Sequence, residues 1–358
     1  MHVWSTLLPI LGLGLSGTGM AAYVLEDDYG TSSFFDKFSF FTGSDPTSGF
    51  VSYVDQTTAQ NAGLISAGST VYMGVDHTNI ASSPGRQSVR ISSTNSYTHG
   101  LVILDLAHMP GGICGTWPAF WMLGPDWPTN GEIDIIEGIN TQSTNQMTLH
   151  TTDGCTIANG GFTGTLLTSN CYSYAAGQAE NAGCGIAATS SQTYGSGFNS
   201  AGGGVYATEW TSAGISIWFF PRGSIPSDIS AGTPNPAGWG TPVAKFAAGS
   251  CDFDAHFSEM QIADIMEKVF DTTFCGAWAG AVWGSGSCAS IDSSCEDYVA
   301  NNPSAFAGAY WEINSLKVYQ DSANAAAVNV NLSVNLNATE HLQAHAHMRH
   351  AGRRGRGS

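Results

Sequence analysis

Short β-rich runs recur along this chain, and each run is bounded by glycine, serine, asparagine or proline. Strand-sized segments separated by turn-forming residues are typical of all-β proteins with many short strands. We therefore expect one antiparallel β-sandwich over residues 22–320. The clearest runs are FVSYVDQ (50–56), STVYMGVDH (69–77), SVRISS (88–93), GLVILDLAHM (100–109), FWMLG (120–124), EIDIIEG (132–138), QMTLHT (146–151), GISIWFFP (214–221) and WEINSLKVYQ (311–320).

The composition favours an extracellular β protein. Charged residues make up only 11% of the chain, whereas about a quarter is usual. The formal net charge is −17, and four of the eleven basic residues lie in the last ten positions, so the body is more acidic still. Such a surface repels phosphate backbones, so we expect no nucleic-acid partner. A neutral ligand such as a sugar is compatible with it.

The N-terminus has the features of a cleavable signal peptide over residues 1–21. An apolar stretch runs from Leu7 to Leu15, and small residues follow at Ala21 and Ala22. The first residues include no lysine or arginine, which leaves an N-terminal anchor helix as the alternative. The apolar stretch is short and rich in glycine for a membrane span. We expect secretion, with no membrane association after cleavage.

Residues 321–358 change to a polar, low-complexity composition that ends rich in histidine and arginine. This composition predicts a disordered tail. Two N-glycosylation sequons begin at Asn331 and Asn337. Metal binding by the tail histidines is the alternative interpretation. Those histidines are His341, His345, His347 and His350.

Eight cysteines lie within the sandwich region. An even number in a secreted chain indicates disulfide bonds. Metal ligation is a weak alternative, because the chain has no CxxC pair and the spacings are wide. The sequence does not choose among the many possible pairings. The cysteines are Cys114, Cys155, Cys171, Cys184, Cys251, Cys275, Cys288 and Cys295.

The segment NGEIDIIEGIN places three carboxylates in one apolar strand. Residues two apart on a strand share a face, so Glu132 and Asp134 point the same way. Glu137 has the opposite parity and would face away, unless one extra residue forms a β-bulge that turns it back. Bulges are frequent beside active sites, where they re-aim a side chain. We therefore predict that the three acids line one cleft.

Paired carboxylates about 5–5.5 Å apart are what a retaining glycosidase requires. Asp134 can hydrogen-bond Glu132, and like charges would separate the pKa values into an anionic nucleophile and a protonated acid. A calcium site and a solvated strand face are the alternatives. The EF-hand pattern is absent. A solvated face does not explain the isoleucines at positions 133, 135 and 136.

Tryptophans precede the acids in GTWPAFWMLGPDWPTN. Sugar rings stack their C–H faces on aromatic planes, so this neighbourhood suggests a carbohydrate site. Trp117 fits the core and the cleft equally well. Trp121 and Trp127 border a loop, and we expect both to be exposed. His150, on the next expected strand, could hydrogen-bond Asp134.

These residues resemble glycoside hydrolase family 16, and most of all the fungal secreted laminarinases, which are endo-1,3(4)-β-glucanases. The resemblance rests on GTWPAFWMLGPDWPTNGEIDIIEG with QMTLHT and extends over roughly residues 22–320. It implies a curved antiparallel β-jelly-roll sandwich of the concanavalin-like type, with a concave substrate cleft. Further matching segments are YVLEDDY, GFVSYVDQ, GRQSVRI, FNSAGGGVYATEW, ISIWFFPR, WGTP, FCGAWAG and NNPSAFAGAYW.

The resemblance also implies roles for individual residues. It makes Glu132 the nucleophile, Glu137 the acid/base, Asp134 the assisting carboxylate and His150 the active-site histidine. The spacing E-x-D-x-x-E is the family's variant that prefers β-1,3 bonds. The substrate-binding residues that the resemblance implies are Trp121, Trp127, Trp278, Arg90, Tyr53 and Gly49.

Three features depart from the family pattern, the first being Gln87 in GRQSVRI, where Asn is usual. Ala277 in FCGAWAG stands where relatives carry a carboxylate, so a hydrogen bond near one subsite is expected to be missing. Residues 263–268 look like an insertion with helical character. That insertion is either an extended loop or an error in the gene model.

The expected function is a retaining endo-β-glucanase that hydrolyses β-1,3- and mixed-linkage β-1,3/1,4-glucans. A β-glucan-binding protein with a decayed site is one alternative, although such relatives lose the glutamates that this chain keeps. A transglycosylase, which uses the same intermediate with a sugar acceptor, is another. The partner is then a β-glucan polysaccharide. We expect a monomer with no cofactor and no metal.

Overall fold

The computed structural model describes residues 23–261 and 270–322. The predicted signal peptide, the insertion at 263–268 and the tail with its sequons and histidines lie outside the described residues, apart from the first two tail positions. Residues 23–320 form one compact unit. None of the described helices has the length and apolar character needed to cross a membrane.

The described chain is built mainly of β-strands, as the recurring β-rich runs predict. Their bounds are Tyr23–Asp28 (β1), Phe38–Phe40 (β2), Val51–Tyr53 (β3), Ile65–Ala67 (β4), Val71–Gly74 (β5), Arg86–Ser88 (β6), Arg90–Ser93 (β7), Ser96–Tyr97 (β8), Gly100–His108 (β9), Thr116–Leu123 (β10), Glu132–Glu137 (β11), Gln146–His150 (β12), Thr165–Leu166 (β13), Cys184–Ala187 (β14), Gly204–Thr211 (β15), Gly214–Pro221 (β16), Ala244–Ala247 (β17), Met260–Gln261 (β18), Phe270–Phe274 (β19) and Tyr310–Asp321 (β20).

The described helices are short and connect the strands. The α-helices are Gln56–Asn61 (α1), Gly195–Ser200 (α2), Ser227–Ser230 (α3), Phe253–His256 (α4) and Cys295–Asn301 (α5). Short 3-10 helices span Phe34–Lys37, Ser191–Thr193, Arg222–Ser224, Pro236–Gly238, Trp283–Ser285, Ser287–Ser290 and Pro303–Phe306, and a π-helix spans Gly276–Gly280.

The strands form two large sheets. The first has the order β17-β16-β15-β9-β20-β5-β4, with β1 paired to β20. The second has the order β13-β14-β12-β11-β10-β19-β7-β2, with β18 paired to β10 and β8. The pairings are mainly antiparallel, which confirms the predicted fold class. A separate pair of β3 and β6 is parallel, and nothing in the sequence pattern predicted it.

The main core lies between the two sheets. Trp311 from the first sheet meets Phe270 from the second edge to face, with ring centroids 5.5 Å apart. Ile133, Ile135 and Ile136 of β11 belong to the same buried cluster and are 0% exposed. Burial of so much apolar surface is the main favourable term in folding. Because these isoleucines occupy the core face of β11, the polar side chains of that strand lie on its other face.

Four disulfide bonds tie the loops to the sheets, and all eight cysteines take part. The pairs are Cys114–Cys288, Cys155–Cys251, Cys171–Cys184 and Cys275–Cys295. The first joins residues 174 positions apart, whereas the third joins residues 13 apart. Closing a longer loop restricts the unfolded chain more strongly.

Replacing the pair Cys114 and Cys288, or the pair Cys171 and Cys184, by two serines should therefore lower the free energy of unfolding by about 2–5 kcal/mol. The loss should be larger for Cys114–Cys288 than for Cys171–Cys184. Denaturant unfolding of the two double variants beside the parent protein measures the difference. Equal losses, or a larger loss for the short loop, would contradict this expectation.

Candidate active site

Strand β11 contains the bulge that the acid spacing predicts. Moving from Trp121 to Phe120 on β10, the partner on β11 changes from Asp134 to Ile136. One step on β10 therefore matches two steps on β11, and Ile135 is the extra residue. The register with β12 has the same irregularity between Asp134 and Glu137. The bulge restores Glu137 to the face that carries the other acids.

Glu132, Asp134 and Glu137 all line one cleft of about 570 Å³. The size is within the range of small-ligand sites. The cleft crosses five neighbouring strands of the second sheet, from β12 through β11, β10 and β19 to β7. The glutamates are half-buried, while the carboxyl of Asp134 is buried between them.

Each glutamate accepts a hydrogen bond from a tryptophan. The Nε1–H of Trp127 donates to Glu132 Oε2 at 2.5 Å, and the Nε1–H of Trp117 donates to Glu137 Oε1 at 2.9 Å. The sequence did not decide whether Trp117 lies in the core or in the cleft, and the structure places it in the cleft. Its parity with Trp121, four residues later on the same strand, was the available signal.

The acid between the glutamates connects them to the histidine. The carboxyls of Glu132 and Asp134 share a hydrogen bond. His150 lies directly across from Glu132 in the pairing of β11 with β12. Its Nε2 is 3.3 Å from Asp134 Oδ2. Ligand atoms of Glu132, Asp134 and His150 lie within 4.8 Å of one another, so this group could also take a divalent cation.

The predicted aromatic residues differ in exposure. Trp121 lines the cleft but is only 8% exposed, so the expectation of an exposed ring is wrong. It lies inside β10, and neighbouring strands cover most of it. Trp127 was also expected to be exposed but is half-buried, and its indole contacts Glu132. Trp278 is half-buried, and its ring meets that of Trp117 edge to face at 5.6 Å.

Arg90 belongs to a buried ion network at the β7 end of the cleft. Its Nη1 lies 3.1 Å from Asp45 Oδ1 and 3.4 Å from Asp271 Oδ2. Asp271 lines the cleft, and sequence reasoning missed it. Since Asp271 and Thr273 are two apart on β19, strand alternation could have placed both on this face. The network keeps a positive charge and two carboxyls beside the catalytic candidates.

Tyr53 and Gly49 lie behind this network and are not among the residues that line the cleft. The Tyr53 hydroxyl donates to Asp271 Oδ2 at 3.5 Å. The Gly49 N–H donates to Asp45 Oδ2 at 3.0 Å. A Cβ at position 49 would lie 2.0 Å from Thr273 Oγ1, so only glycine fits there. Both residues therefore support the wall from behind.

The side of the cleft beyond β12 was not foreseen from the sequence. Gln146 and Thr148 of β12 line it, and so do several residues of the loop that leads into β14. The disulfide Cys171–Cys184 closes this loop. The contributing loop residues are Leu167, Thr168, Ala179, Glu180, Asn181 and Ala182.

Burial raises the pKa of every acid in the cleft floor. Desolvation raises the pKa of Glu132 to about 8, with a further contribution from the charge of Asp134. It raises the pKa values of Glu137 and Asp271 to about 7 and that of Asp134 well above its usual range. The tryptophan donors oppose these shifts at both glutamates. The sequence predicted an anion beside a protonated acid, whereas burial raises the pKa of both glutamates, and more so that of Glu132, the expected nucleophile.

Comparisons with known proteins agree on one family. A sequence model of the XgeA-like catalytic GH16 domain matches residues 38–319. An endo-1,3(4)-β-glucanase of Arthroderma benhamiae is 49% identical over 320 residues, which cover 88% of this chain and 68% of that protein. A probable endo-1,3(4)-β-glucanase of Aspergillus niger is 47% identical over 337 residues, which are 90% of this chain but 44% of that protein.

Solved structures match the same region. An elongating family 16 β-1,3-glucosyltransferase is 48% identical with a TM-score of 0.77, covering 83% of this chain and all of that chain. Laminarinase 16A from Phanerochaete chrysosporium, solved with β-glucans in donor and acceptor sites, is 45% identical with a TM-score of 0.78. That match covers 84% of this chain and all of the laminarinase chain.

The raised pKa values predict how stability depends on pH. The folded glutamates hold protons that the unfolded chain loses above about pH 4.5, so stability should fall as pH rises toward 8. The variants Glu132→Gln and Glu137→Gln each remove one titrating group, so their melting temperatures should fall less between pH 5 and pH 8 than that of the parent. Calorimetry at the two pH values measures this, and parallel curves for all three proteins would refute it.

Proposed function

The chain belongs to glycoside hydrolase family 16, and we propose that it is a retaining endo-β-glucanase acting on β-1,3- and mixed-linkage β-1,3/1,4-glucans. The observation that carries the proposal is the bulge in β11, which brings Glu132 and Glu137 into one cleft lined by tryptophans. Two carboxyls in one sugar-sized cleft are what glycoside hydrolysis requires, and membership of family 16 favours double displacement over inversion. The names of the relatives agree with this substrate class.

In the first step, Glu137 gives its proton to the glycosidic oxygen while Glu132 attacks the anomeric carbon. The bond to the leaving sugar breaks, and a glycosyl-enzyme forms on Glu132. Water then attacks the anomeric carbon, Glu137 takes a proton from that water, and the bond to Glu132 breaks. Both acids return to their starting protonation states, so the cycle can repeat.

The tryptophan donors and the His150–Asp134 contact hold these groups in position. Trp127 donates to Oε2 of Glu132 and so fixes the direction of that carboxyl. Asp134 shares a hydrogen bond with Glu132 and is itself next to His150. Preorganised groups of this kind cost no reorganisation during the reaction. We assign Asp134 and His150 to this supporting role.

The sugar chain would cross the strands, with aromatic rings and polar side chains on both sides of the acids. Trp121 and Trp278 offer apolar surface for sugar faces, and Arg90 lies at the β7 end. We assign Tyr53 and Gly49 an indirect role, since they hold the network around Arg90. Ala277 contributes only a methyl group to the wall near Trp278.

We also propose that the protein is secreted and acts as a monomer, with β-glucan as its partner and without binding nucleic acid or membranes. Four disulfide bonds are typical of proteins that mature in an oxidising compartment. The N-terminal signal features and the acidic charge support the same view.

Product analysis tests the function. Incubation with a pure β-1,3-glucan and with a mixed-linkage glucan should yield shorter chains, and proton NMR should show the β-anomer as the first product. Glu132→Gln should stay folded and lose turnover, while Glu137→Gln should lose about 10²–10⁴-fold. Longer or redistributed chains would indicate transfer, and unchanged chains would indicate a binding protein.

The Trp117 hydrogen bond makes a second prediction. This bond lowers the pKa of Glu137, so Trp117→Phe should raise that pKa and move the alkaline limb of the kcat/KM profile to higher pH. Trp218→Phe is the matched control, because the Trp218 Nε1–H donates to the Gly240 carbonyl outside the cleft. An alkaline limb that stays in place, or moves equally in both variants, would count against the assignment of Glu137.

A further inference from the structure

The bulge in β11 leaves backbone groups that the β-ladder cannot pair, and one side chain satisfies two of them. Asn145 Oδ1 accepts the Glu137 N–H at 2.9 Å. Asn145 Nδ2 donates to the Ile135 carbonyl at 2.8 Å. The amide thus binds the extra residue of the bulge and the acid that follows it. A single amide group offers this pairing of one acceptor and one donor.

Asn145 is itself held from behind. It is 0% exposed, and its N–H donates to Thr193 Oγ1 at 3.1 Å. Its carbonyl accepts the Ala188 N–H at 2.8 Å. The hydroxyl of Tyr206, on the first sheet, donates to the Thr193 carbonyl at 2.5 Å. A hydrogen-bonded path therefore runs from the opposite sheet to the backbone of Glu137.

We propose that Asn145 is a positioning residue that sets the direction of Glu137 by fixing the bulge. The proposal rests on the proposed function, because it concerns the acid/base step of that reaction. A strand with a one-residue irregularity can shift its register, and a shift of one residue turns a side chain to the other face. Asn145 opposes that shift by binding both Ile135 and Glu137.

A comparison of kcat/KM on two substrates with different leaving groups distinguishes a misdirected Glu137 from a general loss of stability. An ordinary sugar leaving group needs the proton of Glu137, whereas dinitrophenolate is a good leaving group without protonation. For a retaining enzyme, kcat/KM covers the steps up to the glycosyl-enzyme. A misdirected Glu137 therefore slows cleavage of an oligosaccharide but not cleavage of a dinitrophenyl glycoside. A lower amount of folded protein slows both equally.

The test compares Asn145→Leu with the parent on laminaripentaose and on dinitrophenyl β-laminaribioside. We expect kcat/KM on the pentaose to fall on the order of 100-fold, because small displacements of catalytic groups cost that much. The dinitrophenyl substrate should lose less than about tenfold, since its cleavage avoids the general acid. Equal losses on the two substrates, or no loss on either, would overturn the proposal.

Asn199→Leu is the matched control. Its amide also makes one accepting and one donating bond to backbone, both to Met109 and outside the cleft. This variant should change the two substrates by the same factor, and a selective loss on the pentaose would overturn the proposal.

Asn145→Asp covers the case in which the leucine variant does not fold. Aspartate keeps an acceptor for the Glu137 N–H, so kcat/KM on the pentaose should fall selectively, but by less than in the leucine variant. If the leucine variant cannot be measured, the aspartate variant should show a several-fold selective loss. An unselective loss would overturn the proposal. Failure of the parent protein on both substrates would instead refute the proposed function, which separates the two conclusions.

Discussion

One extra residue in β11 is the constraint on which the rest of the site depends. Ile135 lengthens the strand by one position, so both neighbouring strands change register beside it. The strand can then place its apolar side chains in the core and its acidic side chains in the cleft. Isoleucines at 133, 135 and 136 remain in the core, while the acids at 134 and 137 reach the cleft. A regular strand could not meet both demands.

The surroundings of β11 explain why so many acids can share a half-buried cleft. Isolated buried charges are costly, and a protein lowers the cost by protonation or by hydrogen bonding. Here the indole donors serve the two glutamates, His150 lies beside Asp134, and Arg90 lies between Asp45 and Asp271. The same groups hold the acids in fixed directions, so stabilisation and positioning come from one set of contacts.

The sequence predicted what depends on local periodicity. It yielded the sandwich, the bulge and the shared face of the three acids, because the two-residue period of a strand is local information. It missed Asp271 and Asn145, whose roles depend on which strands lie beside β11, and it could not choose the disulfide pairs. Trp121 was misjudged, since its place next to a loop in sequence says little about cover from adjacent strands.

The loop closed by Cys171–Cys184 has a consequence for where such a protein could work. Residues 179–182 form part of one side of the cleft, and the bridge spans only 13 positions. Both cysteines are 0% exposed and belong to the main core cluster, so the bridge ties this side of the cleft to the core. Reduction would therefore loosen this side of the cleft and its attachment to the core together, which fits a protein that matures in oxidising surroundings.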